Sequence, residues 1–166
     1  MPAQREEPAT RPVDPNPDHT QALTRALREY VRAVAVAVGV PADGTTFEVT
    51  DTITAYLALN QQVPEHPGRD LMLVWDERQG WSVSVETDPG ESPVLLTRGG
   101  DDPVPHPEAV ARLVAGSAAR RAGAPAVAPR RLDRAALAER MEWRVGAWPP
   151  PDRPLRTFPL ADSGGA

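Results

Sequence analysis

The stretch Asp70–Thr87, DLMLVWDERQGWSVSVET, leaves this chain the fewest structural choices. Leu71, Leu73 and Trp75 share one side of a period-two strand, and Met72 and Val74 share the other. A run that is apolar on both sides suits a strand covered on both faces. Its shortness and the β-formers Val74 and Trp75 favour a strand over a buried helical segment. Asp76–Gly80 is polar and ends in the residue that tolerates positive φ, as a hairpin loop requires. Beyond it, Trp81, Val83 and Val85 alternate with Ser82, Ser84 and Glu86, the pattern of a half-buried strand. Trp75 and Trp81 then flank the loop on one face, where an aromatic pair contributes about 0.5–1.5 kcal/mol beyond burial. Both are expected in the core; the other role open to them is an aromatic platform for a ligand.

The flanking sequence supplies the layers around this hairpin. From Asp18 to Val38, apolar residues Leu23, Leu27, Tyr30, Val31, Val34 and Val38 recur at helical spacing. Asp18 or Thr20 offers a cap, and Gly39 and Pro41 provide the stop. Strands are predicted over Thr45–Thr50 and Ile53–Leu59, with Asn60–Arg69 as a proline-containing loop. After the hairpin, Asp88–Gly90 turns the chain into a last strand, Pro93–Arg98, whose proline suits a sheet edge. A second helix starts at His106-Pro107-Glu108, carries Val110, Leu113 and Val114, and frays by Arg121. The expected fold class is α+β: a five-stranded antiparallel meander sheet with an N-terminal and a C-terminal helix on one face, in the order α-β-β-β-β-β-α, with disordered ends.

Three segments follow from composition. Residues 1–17 carry five prolines and almost no large apolar group, so a disordered N-terminus is expected. Residues 18–121 form the core domain. Residues 122–166 hold seven prolines and read as a Pro/Arg-rich flexible tail. Within it Leu137, Met141, Val145 and Trp148 are spaced for a helix over 133–148. That helix is expected to be marginal; its alternative role is an anchor that docks on a partner or back onto the sheet.

The charge is divided unevenly. All 18 basic side chains are arginine, a codon-bias signature of a GC-rich genome that carries no functional information. Asp18–Arg120 is acidic overall and Arg121–Ala166 basic, so net charge disfavours nucleic-acid binding by the core and leaves it to the tail. Cysteine is absent, so neither disulfides nor thiolate metal sites are available. No apolar run approaches a membrane span and the first eighteen residues hold no apolar leader, so a cytoplasmic protein without membrane contact is expected.

Several segments together resemble a known family: YVRAVAVAVGV (Tyr30–Val40), EVTDTITAYLAL (Glu48–Leu59), HPGRDLMLVWDERQGWSVSVET (His66–Thr87) and PHPEAVARLVAG (Pro105–Gly116). They are similar to an uncharacterised actinobacterial domain-of-unknown-function family, over roughly residues 25–120. The long hairpin segment is the specific part. The family implies no activity, so it implies no functional residues. More loosely, the order of elements resembles the secretion-chaperone-like α+β domains, which implies partner binding and dimerisation as expectations of fold alone.

No catalytic constellation emerges. His19, His66 and His106 lack metal-ligand spacing. Asp51, Asp76, Glu77 and Glu86 are acidic residues of loop type, expected to be solvated rather than catalytic, and Arg69 with Asp70 is expected as an ion pair at a strand start. No catalytic residue, metal site or cofactor is assigned. The more informative feature is the sheet face away from the helices: Tyr56, Ala58, Met72, Val74, Ser82, Ser84, Leu95 and Thr97. Such a face is too apolar for a purely solvated surface. Tyr56, Met72, Val74 and Leu95 are therefore the candidate partner or dimer face, and Leu137, Met141, Val145 and Trp148 the candidate tail anchor. The leading expectation is a non-enzymatic protein-binding or adaptor domain, self-associating or engaging a protein partner. The alternative is a small-molecule-binding or enzymatic domain with a pocket between helices and sheet near Trp75 and Trp81.

Overall fold

A computed structural model of the chain describes residues 17–117 and 132–146. Its elements are α1 (Pro17–Val38), a 3₁₀ turn (Ala42–Gly44), β1 (Thr45–Val49), β2 (Ile53–Gln62), β3 (Asp70–Asp76), β4 (Gly80–Val85), β5 (Val94–Arg98), α2 (Pro107–Ser117) and α3 (Arg134–Gly146). The sheet is an antiparallel meander in the order β1-β2-β3-β4-β5, as short connections between successive strands favour. It is an α+β architecture with α1 and α2 packed on one side. Of the predicted ends, 1–17 and 122–166, residues 1–16, 122–131 and 147–166 lie outside the described residues, whereas Pro17 opens α1 and α3 falls within the predicted tail.

The central hairpin forms on the register that its alternation demands. Trp75 pairs with Trp81, Leu73 with Val83 and Leu71 with Val85, so all six side chains point to the helix layer and all are buried. The turn is tied by Asp76, whose Oδ1 accepts the backbone N–H groups of Arg78 and Gln79 at 2.8 Å each. Gly80 closes it at φ +68°.

α1 buries more than its predicted stripe. Leu23, Leu27, Tyr30, Val31 and Val34 are buried as expected, but so are Ala26, Ala33 and Ala35. A helix packed against one surface hides one stripe; α1 has neighbours on several sides, because it touches the sheet, α2 and α3. Gly39, at φ +83°, ends it, with its N–H donating to the Ala35 carbonyl at 2.9 Å.

Three local expectations need correction. β2 continues past Leu59 to Gln62, because Asn60 at φ +50° introduces an irregularity that lets pairing resume at Gln62–Asp70. β5 carries a register shift opposite Val83 and Ser84, so Thr97 pairs with Val83 on the helix side rather than lying on the open face. Leu96 and Thr97 are both buried as a result. Arg69 does not pair with Asp70; it bridges Asp88 and Glu91 at 3.4 and 3.0 Å across the opposite turn, while Asp70 accepts Gln62 Nε2.

α3 is capped by Asp133, whose Oδ1 accepts the Ala136 N–H at 2.7 Å. It runs beside α1. Its first residue, Arg134, donates to Thr20 Oγ1 and to the Thr50 carbonyl, and its far end reaches the loop before α2. Leu137 and Met141 are fully buried in the common core and Val145 packs at its margin; Trp148 lies outside the described residues. No described helix is long and apolar enough to cross a membrane.

Candidate functional site

Two places concentrate interactions beyond plain core packing. The first is the sheet face away from the helices. The strand register aligns Thr46, Tyr56, Val74, Ser82 and Arg98 along one rung. Ala58, Met72, Ser84 and Leu95 form the next. The four sequence-predicted residues Tyr56, Met72, Val74 and Leu95 thus sit on adjacent rungs. They are not equally available. Met72 is 8% exposed and Ser84 is buried, whereas Tyr56, Ala58, Val74 and Leu95 are half-exposed. The available patch is therefore Tyr56, Val74, Ala58 and Leu95, with Met72 beneath it. Thr46 and Arg98 bound its central rung, and Arg98 donates to Gln79 Oε1 in the hairpin turn. Burial, followed by the Glu86 carboxylate, raises the Tyr56 phenol above its ordinary pKa, so Tyr56 is a neutral amphipathic group at the edge of the patch.

The second place is the strap Gly99–His106, which crosses the end of the sheet holding the β1–β2 and β3–β4 turns. Its carbonyls serve as acceptors for buried donors. Trp75 Nε1 donates to the Pro103 carbonyl at 2.6 Å, and Tyr30 Oη donates to the Pro105 carbonyl at 2.8 Å. Trp81 Nε1 donates to Tyr30 Oη at 3.0 Å, with ring centroids 6.2 Å apart. Both indoles are fully buried and their N–H groups are satisfied, so they are structural members of a filled interior. Buried in this way, they do not form an exposed aromatic platform.

The strap is gripped from outside by α3. Arg144 donates from Nε to the Val104 carbonyl at 2.9 Å and from Nη2 to Asp102 Oδ2 at 2.8 Å. Arg140 reaches the same carboxylate oxygen at 3.1 Å. Arg144 Nη1 also meets His106 Nε2. A guanidinium can only donate, so this contact requires a neutral His106 accepting through Nε2. Burial first, then the Arg144 charge, lowers the His106 pKa, with Asp102 and Glu108 opposing. At Asp102 burial pulls the pKa upward most strongly. The Val104 N–H, Arg140 and the Arg144 charge together outweigh it and hold the carboxylate ionised. Trp143 is 61% exposed beside this cluster, 5.7 Å from the His106 ring and 4.8 Å from the Arg144 guanidinium.

The strap network was missed from sequence. Asp102 and His106 are neighbours on the strap, but Arg144 lies about forty residues further on, and each is ordinary in its own context. Of the remaining acidic candidates, Asp51, Asp76 and Glu77 lie at the strap end and Glu86 at the other end of the hairpin, and Asp76 is occupied as the turn cap. Among the described residues no group of three His, Asp or Glu is placed to hold a metal ion. Three tail arginines, 134, 140 and 144, are engaged within the chain rather than displayed to a polyanion.

The fold and its two candidate sites define an α+β domain with one helix-covered sheet face and one face that no described helix covers. Residues 30–116 match the family of unknown function DUF6292, and the chain belongs to that family. No curated protein and no solved structure matches it.

Proposed function

We propose that this chain is a non-enzymatic protein-binding domain that self-associates through its open sheet face. The observation carrying the reading is the set of half-exposed apolar side chains, Tyr56, Ala58, Val74 and Leu95, on adjacent rungs of a sheet whose other face is already filled. Five strands at about 4.8 Å spacing, with about 17 Å of strand height, offer a projected face of only roughly 350 Å². Standard interfaces bury about 800 Å² per partner, so the dimer belongs to the weak, reversible class with Kd on the order of micromolar or above. A cysteine-free, acidic core is in keeping with a cytoplasmic setting, which cell fractionation checks directly.

Sedimentation of the full chain across a wide concentration range tests the association. The wild type is expected to rise towards twice the monomer mass, and Val74→Glu to remain monomeric with an unchanged circular dichroism spectrum. A wild-type chain that stays monomeric near millimolar concentration, or a Val74→Glu chain that dimerises equally well, refutes the reading.

A further inference from the structure

α3 binds in the manner of a helix seated in a groove. The groove is bounded by α1 on one side and by the strap on the other. Its occupant presents two apolar anchors one turn apart, Leu137 and Met141, both fully buried. An arginine lies at each end. Arg134 reaches Thr20 and the Thr50 carbonyl, and Arg144 reaches Asp102, the Val104 carbonyl and His106. The two ends differ in chemistry, a neutral carbonyl against an ionised carboxylate, so the groove sets the helix direction as well as its position.

The strap groups that define the site, Asp102, Val104 and His106, lie within the family-matched residues 30–116, whereas the helix that fills it lies outside them. A helix of 13 residues is marginal by itself, so α3 depends on this groove for its stability. Residues 118–133 separate α2 from α3, a length that reaches roughly 50 Å when extended. Every contact of α3 with the groove is one that the same helix of another copy makes equally well, because exchanging an identical element creates no new chemistry.

We propose that the groove between α1 and the Gly99–His106 strap is a helix-binding site that accepts α3 from a second copy of this chain as well as its own. The site selects an amphipathic helix with apolar residues at i and i+4 and an arginine at i+7. The helix's own linker holds it at high effective concentration, so exchange grows when the resident helix is weakened.

The probe is a fluorescent peptide of residues 132–146, titrated against full-length chains and read by anisotropy. The peptide carries no sheet, so the result is independent of self-association through the open face. Combining Met141→Ala with Arg144→Ala in the chain weakens the resident helix and leaves the groove intact; the peptide is expected to bind this chain at least about tenfold more tightly than the wild type. Adding Asp102→Asn to that chain is expected to reverse the gain, and a peptide carrying Arg144→Ala is expected to lose it. Should the double variant not fold, Arg144→Gln alone serves, with recovery of Tm on adding peptide as the readout. Equal peptide affinity for wild-type and weakened chains, or a gain indifferent to Asp102→Asn, overturns the proposal.

Discussion

Replacing Tyr30 by Phe removes one oxygen atom from the centre of the molecule and almost no volume. That oxygen joins three elements: it belongs to α1, accepts from Trp81 of β4, and donates to the Pro105 carbonyl of the strap. Tyr30→Phe deletes both bonds and strands a buried indole N–H. A buried group left unpaired costs about 1–3 kcal/mol. The Pro105 carbonyl is half-buried and regains part of its loss from water. The ring contact with Trp81 survives the change, so no cavity term is added. The expected loss is about 2–4 kcal/mol, a large share of the roughly 5–15 kcal/mol of a typical domain. At about 4 °C per kcal/mol for a domain of this size, Tm falls by about 8–16 °C. Urea and thermal unfolding, followed by tryptophan fluorescence, measure it. The alkaline limb offers an independent check. Burial raises the Tyr30 pKa far above its ordinary value, so the folded phenol keeps its proton where the unfolded one has lost it. Its contribution is complete below about pH 10 and is lost as pH rises beyond that. Tyr30→Phe should flatten that limb, leaving the smaller share of Tyr56. A stability loss under about 0.5 kcal/mol, with the alkaline limb unaltered, refutes the assignment of Tyr30 as the junction.

Other perturbations probe neighbouring features. Gly80→Ala places a Cβ 2.9 Å from Pro103 Cα at a φ of +68°, so left-handed strain and a backbone clash together should cost about 2–4 kcal/mol; a neutral result in urea unfolding counts against the tight strap. Leu27→Ala, at a fully buried position of α1, should cost about 2–5 kcal/mol in the same assay. Acid should weaken the strap in two stages. His106 has a lowered folded pKa, so its contribution is complete above about pH 6.5 and declines as pH falls below it; Asp102, also lowered, adds a second decline below its ordinary range near 3.8. Urea midpoints between pH 7.5 and 5 should fall in the wild type and stay flat in His106→Gln, and a decline that persists in His106→Gln removes histidine from the account.

Local pattern was enough for most of the layer structure because the determinants are short-range. Alternation through Trp75 and Trp81 dictates their shared face, since a one-residue slip would turn Leu71, Leu73 and Val83 to solvent. Thr97 escaped because a register shift in β5 breaks the alternation that placed it. Asn60 escaped for a related reason: an asparagine at positive φ reads as a loop residue whether the strand stops or merely bends. On the open face, alternation identified Tyr56, Met72, Val74 and Leu95. It gave no sign that Met72 is already covered in the single chain.

Apart from Thr97 and the end of β2, the amino-acid pattern alone determined which residues are strand, which are helix and which side each turns to the core, because those choices depend on periodicity and on turn chemistry within a few residues. Tertiary structure decided where α3 lies and what holds the strap. Leu137, Met141 and Val145 mark a helical face but name no surface for it. Asp102, His106 and Arg144 acquire their roles only when the strap's carboxylate and imidazole meet a guanidinium some forty residues further along the chain at one end of the sheet. Such a meeting depends on three-dimensional distance, a quantity that short-range pattern does not encode.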